Sequence, residues 1–508
     1  MARTGGITRR GLLAGGLSAV AGLAWAQGAP TALRPPPRPG ATPVVTAPGA
    51  APATRPQARE ELDAIVRATG IDDRVSIALV DVDDGTILWA HEPLRDLPPA
   101  SVAKSLTTLY ALDALGPDHR FATRLLATAP VVGGRIDGEL ILAGGGDPVL
   151  STDRLADLAV ALAQAGVKEV GGFRVWGGAL PQVREISPEQ LPWLDYNPAI
   201  SGLNLNFNRV YFEWQKAGAD YRVRMEAVGD NHRPPVALSR MTVENRSLPV
   251  YTYEQDGDAD QWTVARAQLG GSGSRWLPVR TPALYAGQAF VGLANEAGLV
   301  LPAPSVIEAL PEGTLEVARI ESEPLTDIIR GMLLHSTNLT AEVLGLSASL
   351  ARGLTPRTPA ESAAAMNDWL RRTTGARVHL VDHSGLGGTS RVAAQEMAMA
   401  LAHRGTMDRL RPLLKDIVLT DASGEALDPP PALVRAKTGT LNFVSALAGY
   451  VRTTAGTDLA FAYFSADVEA REASMGGMDE IPAGSRDFLA RSRRLQQELL
   501  QRWGLLTA

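Results

Sequence analysis

Two segments at opposite ends of this chain have the patterning of one α/β domain, and a long stretch of different composition separates them. Residues 59–115 combine helical apolar spacing with an alternating, β-branched run, which predicts a helix, a hairpin and a second helix. Related patterns return later and predict helices at 324–350, 360–373 and 393–403, a strand pair at 444–452 and 458–467, and a C-terminal helix at 485–503. The residues between are rich in Gly, Pro and Asn, with only short strand candidates. The chain therefore predicts one α/β domain interrupted by an insert.

The changes in composition also give the expected boundaries. The main domain is expected to consist of residues 58–126 and 311–508, and the insert of residues 127–310, which are expected to subdivide further. Residues 27–57 are rich in Pro and Ala and have no periodicity, so they are expected to form an extended, solvated linker.

The first 26 residues have the order of features that is typical of an export signal. Three arginines and no acidic residue precede and flank a weakly apolar, Gly-rich run, and Ala24-Trp25-Ala26 provides a small-x-small cleavage pattern. Thr8–Leu13 is also similar to a twin-arginine export signal. We therefore expect residues 1–26 to be removed and the protein to be periplasmic. The alternative is a basic, disordered N-terminus.

Composition excludes several classes of function. The net charge of −6 over 508 residues gives no indication of a nucleic acid partner. Cysteine is absent, which removes thiolate metal sites and cysteine nucleophiles. The seven histidines show no His-Glu-x-x-His pattern and no Gly-x-Ser-x-Gly elbow occurs, so we expect neither a zinc peptidase nor a Ser-His-Asp hydrolase, and no cofactor. After signal cleavage no apolar segment of about 20 residues remains to span a membrane.

Ser101-Val102-Ala103-Lys104 is the first of three motifs that could carry chemistry. On a helix, positions i and i+3 share a face, so the Ser101 hydroxyl and the Lys104 amine can meet. A neutral lysine can take the proton of a serine nucleophile, and burial or a second cation lowers the lysine pKa far enough. Taken alone, the motif is equally an ordinary surface Ser and Lys.

The second and third motifs lie far along the chain. Ser336-Thr337-Asn338, in a helical pattern, offers a hydroxyl that could relay a proton and an amide that could hold the Lys104 amine, although these residue types also cap helices. Lys437-Thr438-Gly439, expected at a strand start, offers a cation for a carboxylate and a glycine that would let substrate lie close. The amide of Thr440 could complete an oxyanion hole.

The set of motifs is more specific than any member. The chain has only five lysines, and two of them occupy the two lysine positions of the set. The chance of finding all three motifs in this order is roughly one in a thousand. Together they predict cleavage of a small amide substrate with a free carboxylate by acyl transfer.

With these motifs the sequence resembles the penicillin-recognising serine enzymes, and within them the low-molecular-mass class C penicillin-binding proteins, the D-alanyl-D-alanine carboxypeptidase/endopeptidase family. The 232 positions between Lys104 and Ser336 are similar to that family's large insert. The resemblance implies a penicillin-recognising serine transpeptidase-like α/β (α+β) domain, an antiparallel sheet flanked by helices, interrupted by a large β-rich insert.

The resemblance also implies a role for each motif residue. Ser101 is the nucleophile that forms an acyl-enzyme, Lys104 its general base, Ser336 the relay to the leaving nitrogen, and Asn338 the group that positions substrate and Lys104. The binding residues that it implies are Lys437, Thr438, Gly439 and Thr440, with the amides of Ser101 and Thr440 forming the oxyanion hole. The implied substrates are peptidoglycan stem peptides ending in D-Ala-D-Ala, and the implied covalent inhibitors are β-lactams.

The chain departs from the family pattern at one loop. Asp382-His383-Ser384-Gly385-Leu386 is similar to the family's Asp-Gly-Ser-Gly-Leu, but His383 stands at the glycine, and three residues intervene before Ser390-Arg391. Two alternatives to the peptidase remain open from the sequence: a serine β-lactamase, which shares the motifs, and a non-catalytic cell-wall binding protein.

Overall fold

The structure, a computed structural model, describes residues 55–506. The expected export signal and residues 27–54 of the expected linker lie outside the described residues. Helix α1 begins at Arg55, so the last residues of the expected linker form its first turn. Pro56 is compatible with that position because the first helical amides need no partner within the helix.

Within residues 55–506 the structure has eleven α-helices and twenty strands. The helices are α1 (Arg55–Ala68), α2 (Ala103–Leu115), α3 (Thr152–Gln164), α4 (Pro282–Glu296), α5 (Leu325–His335), α6 (Asn338–Ala351), α7 (Pro359–Thr374), α8 (Ala394–Ala402), α9 (Thr406–Leu410), α10 (Val468–Ser474) and α11 (Ser485–Gly504). The strands are β1 (Val75–Asp81), β2 (Ile87–His91), β3 (Asp96–Leu97), β4 (Ala122–Ala127), β5 (Val131–Val132), β6 (Arg135–Gly144), β7 (Glu169–Trp176), β8 (Arg209–Ala217), β9 (Asp220–Glu226), β10 (Ser239–Glu244), β11 (Tyr251–Asp256), β12 (Ala259–Ala265), β13 (Ser272–Pro278), β14 (Ser305–Val306), β15 (Leu315–Glu321), β16 (Val392–Ala393), β17 (Lys415–Asp416), β18 (Ala432–Leu441), β19 (Val444–Thr453) and β20 (Asp458–Ala466). None of these helices is long and apolar enough to cross a membrane.

A six-stranded antiparallel sheet joins the two ends of the chain. Its strand order is β17-β18-β19-β20-β1-β2, so the hairpin near the N-terminus lies beside the strands near the C-terminus. The predicted early hairpin is present as β1 and β2, with Ile77 opposite His91. Strands β1 and β20 are far apart in sequence, and their pairing joins the two chain segments that flank the insert.

Helices cover both faces of this sheet. Along β20, Ala460 and Ala462 face a core formed with α2, α5, α6, α7 and α8, whereas Phe461 and Tyr463 face a second core formed with α1 and α11. Successive strand residues point to opposite faces, so small residues on one side admit closely packed helices and aromatic residues fill the other side. The helix that carries Lys104, α2, lies within the first of these cores.

The inserted segment has its own sheets and core. Strands β14-β7-β6-β4-β15 form one sheet, in which β6 and β7 are parallel and are connected through α3. Two three-stranded sheets, β13-β8-β9 and β10-β12-β11, share a further core with α3 and α4. The expected limits at 127 and 310 fall inside the first sheet, because β4 and β15, which pair with each other, extend it to Ala122 and Glu321.

Two local predictions were wrong and both concern the motifs. The single helix expected at 324–350 is two helices, α5 and α6, which are separated at Ser336 and Thr337. Lys437, expected at a strand start, lies within β18, five residues after Ala432 begins the strand. The first difference arises because the apolar periodicity of α5 and α6 continues across the break and hides it.

Candidate active site

Ser101 lies in a tight turn that precedes α2. Ala100–Val102 form a single 3₁₀ turn, closed by a hydrogen bond from the Val102 amide to the Pro99 carbonyl, and α2 starts only at Ala103. Ala100 has a φ of 45°, the left-handed region, which costs a non-glycine residue about 1–2 kcal/mol. Neighbouring elements must therefore hold this turn in place.

Lys104 is completely buried and its ammonium nitrogen has three oxygen neighbours. Nζ lies 2.9 Å from Ser101 Oγ, 2.7 Å from Asn338 Oδ1 and 2.7 Å from the carbonyl oxygen of Ser384. The Asn338 and Ser384 oxygens fix the direction of the amine, and the third direction points at the Ser101 hydroxyl. A neutral Lys104 can accept the Ser101 proton from this position.

Burial is the main reason that Lys104 can be neutral. Loss of hydration lowers the pKa of Lys104 to about 7, whereas the charges of Asp382 and Glu342 raise it. Of the two causes that the sequence suggested, burial acts on Lys104, and the effect of a second cation appears on Lys437. Burial, followed by the charges of Lys104 and Lys415, lowers the pKa of Lys437 well below its ordinary value.

Ser336 ends α5 in a left-handed conformation, with φ 60° and ψ 36°, and Asn338 begins α6. This break in the helix lets the two side chains point to different partners. The Asn338 amide nitrogen donates to the carbonyl oxygen of Tyr196, 2.9 Å away in the inserted segment. That bond fixes which end of the amide faces Lys104.

Lys437 connects the second motif to the third. Its ammonium donates to Ser336 Oγ at 2.9 Å and to the carbonyl of Thr438 at 2.7 Å, and the side chain is almost fully buried. The structure thus holds these side chains in two sets of short polar contacts, Ser101–Lys104–Asn338 and Ser336–Lys437, which meet at the 336–338 segment.

Gly439 packs against the turn that carries Ser101. A Cβ at this position would lie 2.9 Å from the Pro99 carbonyl oxygen and 3.0 Å from the Ser101 nitrogen. The glycine therefore allows β18 to approach that turn closely. Thr438 and Thr440, on either side, are partly exposed.

One edge of β18 is unpaired beside this turn. Strand β17 pairs only with Ala436 and Arg435, so between residues 55 and 506 no strand pairs with 437–441 on the side away from β19. An unpaired strand edge offers amide and carbonyl groups to an extended peptide.

Two carboxylates lie beneath the site, and the sequence motifs gave neither of them a role. Glu342 accepts hydrogen bonds from the His383 and Ser384 amides, and Asp382 accepts from the Gly385 and Gly387 amides. Burial is the largest cause that raises the pKa of Glu342, to about 8, and burial also raises the pKa of Asp382. Glu342 is the only charged residue of α6 and lies one turn after Asn338, which is the signal that could have identified it.

Residues of the inserted segment contact the main domain at two further points. Glu189 accepts a hydrogen bond from the Gly388 amide, and Trp193 donates to Glu480, which follows α10. The described residues contain no cluster of three or more His, Asp or Glu side chains that could hold a metal ion.

Comparison with known proteins identifies the family. Residues 58–484 match the model of the D-Ala-D-Ala carboxypeptidase 3 (S13) family. The chain belongs to this family. The match confirms the resemblance to the low-molecular-mass class C penicillin-binding proteins that the three motifs indicated, and it makes this S13 chain a serine peptidase.

The similarity of this S13 peptidase to individual relatives extends over most of its length. It is 28% identical to the carboxypeptidase Rv3627c of Mycobacterium tuberculosis, over 85% of each chain. It is 24% identical to the D-alanyl-D-alanine carboxypeptidase DacB of Haemophilus influenzae, over 72% of this chain and 79% of that protein. The crystal structure of penicillin binding protein 4 (dacB) from Haemophilus influenzae has the same fold, with a TM-score of 0.69, 20% identity, and coverage of 86% of this chain and 99% of that one. The predicted fold class is therefore confirmed.

Proposed function

We propose that this S13 peptidase hydrolyses the D-alanyl amide bond of peptidoglycan stem peptides through an acyl-enzyme on Ser101, as a D-Ala-D-Ala carboxypeptidase, a DD-endopeptidase, or both. The proposal is supported by two sets of contacts, Ser101–Lys104–Asn338 and Ser336–Lys437, which together contain two amines and two hydroxyls. Family membership and this geometry point to the same chemistry.

Acylation follows from the positions of the groups. Lys104, neutral at its lowered pKa, takes the Ser101 hydroxyl proton, and Oγ bonds to the carbonyl carbon of the penultimate D-alanine. The amides of Ser101 and Thr440 stabilise the negative oxygen that develops. As the carbon–nitrogen bond breaks, the Ser336 hydroxyl passes a proton to the leaving amine and regains one from the Lys104 ammonium, which returns Lys104 to its neutral form.

In deacylation a water molecule takes the place of the amine that left, and the proton transfers run in the opposite direction. Lys104, neutral again after the relay, removes a proton from a water molecule, whose oxygen bonds to the acyl carbon. The ester bond to Ser101 Oγ then breaks and Oγ recovers the proton. A β-lactam would form the same ester, but its leaving nitrogen stays attached within the acyl group and hinders the entry of water.

Substrate binding is assigned to β18. The unpaired edge of 437–441 would accept an extended peptide as an added strand, and Lys437 with Thr438 and Thr440 would bind a terminal carboxylate. Burial lowers the pKa of Lys437, and a carboxylate in contact with it would raise that pKa again, because low dielectric strengthens the attraction between the ammonium and the anion.

A fluorescent penicillin on purified protein tests the proposal. We expect stoichiometric labelling that is lost in Ser101→Ala and retained in Ser105→Ala, a matched control on the same helix, whose hydroxyl has no hydrogen-bond partner among the described residues. Absence of labelling in the native protein would favour a non-catalytic wall-binding protein. Rapid release of the label would identify a β-lactamase.

Muropeptides separate the two peptidase activities. Mass analysis after incubation with monomeric and cross-linked muropeptides reports loss of a terminal D-alanine or cleavage of the cross-link. Cleavage of neither, by protein that takes the penicillin label, would contradict the assigned substrate.

We also propose that residues 1–26 direct export to the periplasm by the twin-arginine route. The support is Arg9-Arg10 before a weakly apolar run. Substitution of both arginines by lysine is expected to leave the precursor in the cytoplasm, and unchanged export would point to the general route.

A further inference from the structure

His383, the residue that departs from the family loop, is fully buried against α6 at a glycine. A Cβ on Gly345 would lie 2.1 Å from His383 Cγ, so the imidazole occupies the space where a side chain of α6 would be. Glycine within a helix costs about 1 kcal/mol relative to alanine. The helix carries this cost at the one position that the ring requires.

The imidazole also closes a buried polar chain. His383 Nε2 lies 2.8 Å from Ser362 Oγ, which lies 2.7 Å from Ser349 Oγ, which lies 3.0 Å from the Tyr110 hydroxyl. The Tyr110 ring is stacked with the imidazole, with 6.3 Å between the ring centroids and an angle of 9° between the ring planes. The chain therefore joins α2, α6 and α7 to the loop.

The hydrogen bonds of this buried polar chain also indicate which ring nitrogen of His383 carries the proton. Ser362 Oγ can donate to the Gly345 carbonyl at 3.2 Å, so it accepts from Nε2–H. Nδ1 has no partner among the described residues, and burial lowers the pKa of His383 to about 3. The ring is neutral and serves as a wedge with one donor.

The loop that His383 anchors contacts the reacting groups directly. The next residue, Ser384, gives its carbonyl oxygen to Lys104 Nζ at 2.7 Å. A Cβ at Gly385 would lie 1.9 Å from the Ala100 carbonyl oxygen, so the loop also packs against the left-handed turn before Ser101. A displacement of the loop would move an acceptor of the base and the support of the nucleophile together.

We propose that His383 is a positioning residue for the Ser101–Lys104 pair: its ring, wedged over Gly345 and bonded to Ser362, holds the 382–386 loop so that the Ser384 carbonyl orients Lys104 and Gly385 supports the turn of Ser101. The kinetic part of this inference rests on the proposed acylation of Ser101.

The test compares His383→Gly, His383→Gln and Gly345→Ala with the double variant Gly345→Ala/His383→Gly. In His383→Gly we expect the second-order rate constant of penicillin labelling to fall about 10- to 100-fold. Water entering behind Ser384 should rehydrate Lys104, so the midpoint of the pH–rate profile should move to higher pH. His383→Gln, which keeps an NH donor, should recover most of the rate and the original midpoint.

The Gly345 variants test the wedge. Gly345→Ala should lower the melting temperature and the labelling rate, because the new methyl group meets the ring. In the double variant the melting temperature should rise again, while the labelling rate stays low. Leu499→Ala, a core truncation under the other face of the sheet, is the control that should lower stability without moving the pH midpoint.

Several outcomes would overturn the inference. If His383→Gly lowers the melting temperature but leaves the labelling rate and pH midpoint unchanged, His383 is only a core residue. If the native protein takes no label, the proposed function has failed, and hydrogen exchange then decides this inference separately. The His383 and Ser384 amides, which donate to Glu342, should lose protection in His383→Gly, and retained protection would exclude the positioning role.

Discussion

Lys104 Nζ lies 2.7 Å from Asn338 Oδ1, although 234 positions separate the two residues. The contact joins the first turn of α2 to the first residue of α6, and the Ser384 carbonyl completes the set from a third segment. The direction of the base on α2 is thus fixed by groups from two distant parts of the chain.

Acylation should depend on pH through Lys104. Because burial lowers the pKa of Lys104 to about 7, the neutral base is lost as pH falls below that value. The labelling rate should reach a plateau above pH 8 and fall about tenfold per unit below pH 6. Rates measured from pH 5 to 9, corrected for spontaneous β-lactam hydrolysis, check this. A flat profile would show that Lys104 is not the base.

The variant Ser336→Gly removes the hydroxyl and keeps the backbone conformation, so it tests the role of the hydroxyl alone. Glycine accepts the φ of 60° without strain, so the break between α5 and α6 should persist and the melting temperature should not fall. Loss of the proton relay should lower kcat for muropeptide cleavage about 100- to 10,000-fold. Activity close to native would exclude the relay role. Circular dichroism melting provides the control for folding.

Gly439→Ala should displace the strand from the nucleophile. The new methyl group would lie about 3.0 Å from Pro99 and Ser101 backbone atoms, which cannot rotate away. We expect the labelling rate to fall about 100-fold. Gly331→Ala in α5 is the matched control, because nothing lies within 4 Å of its Cβ and helix propensity improves. Equal rates in the two variants would contradict the close packing.

Lys437→Met should remove recognition of the terminal carboxylate. A hydrogen-bonded ion pair contributes about 1.5–3 kcal/mol, so KM for a substrate ending in a free carboxylate should rise about 10- to 100-fold. The native enzyme should prefer this substrate to its amide, and the variant should lose the preference. Lys168→Met, on the inserted segment, is the control. If the native enzyme cleaves the amide equally well, the assigned role is wrong.

The sequence predicted the parts of the site that depend on residue type and order. Ser101 and Lys104 meet because three residues of helical spacing bring them together, and the scarcity of lysine made Lys437 conspicuous. The early hairpin was also predictable, since β-branched alternation is a local signal, whereas the antiparallel sheet was implied by the family resemblance.

What the sequence did not reveal depends on contacts between distant segments. Ser336 adopts a left-handed conformation that no local residue requires, and Gly439 is needed because of a turn more than 300 positions earlier. Glu342 stands out in the sequence only as the one charged residue of α6, and its hydrogen bonds to the 382–386 loop cannot be read from the sequence. Periodicity reports which side of an element is buried, and it does not identify the partner.

The hydrogen bond from Asn338 to the Tyr196 carbonyl has a consequence for engineering a smaller catalyst. Removal of the inserted segment would leave the Asn338 amide free to rotate and present its NH₂ group to Lys104, so that two donors would face each other. A shortened enzyme would need another acceptor for this amide in the remaining domain, so the inserted segment cannot be removed without a compensating change.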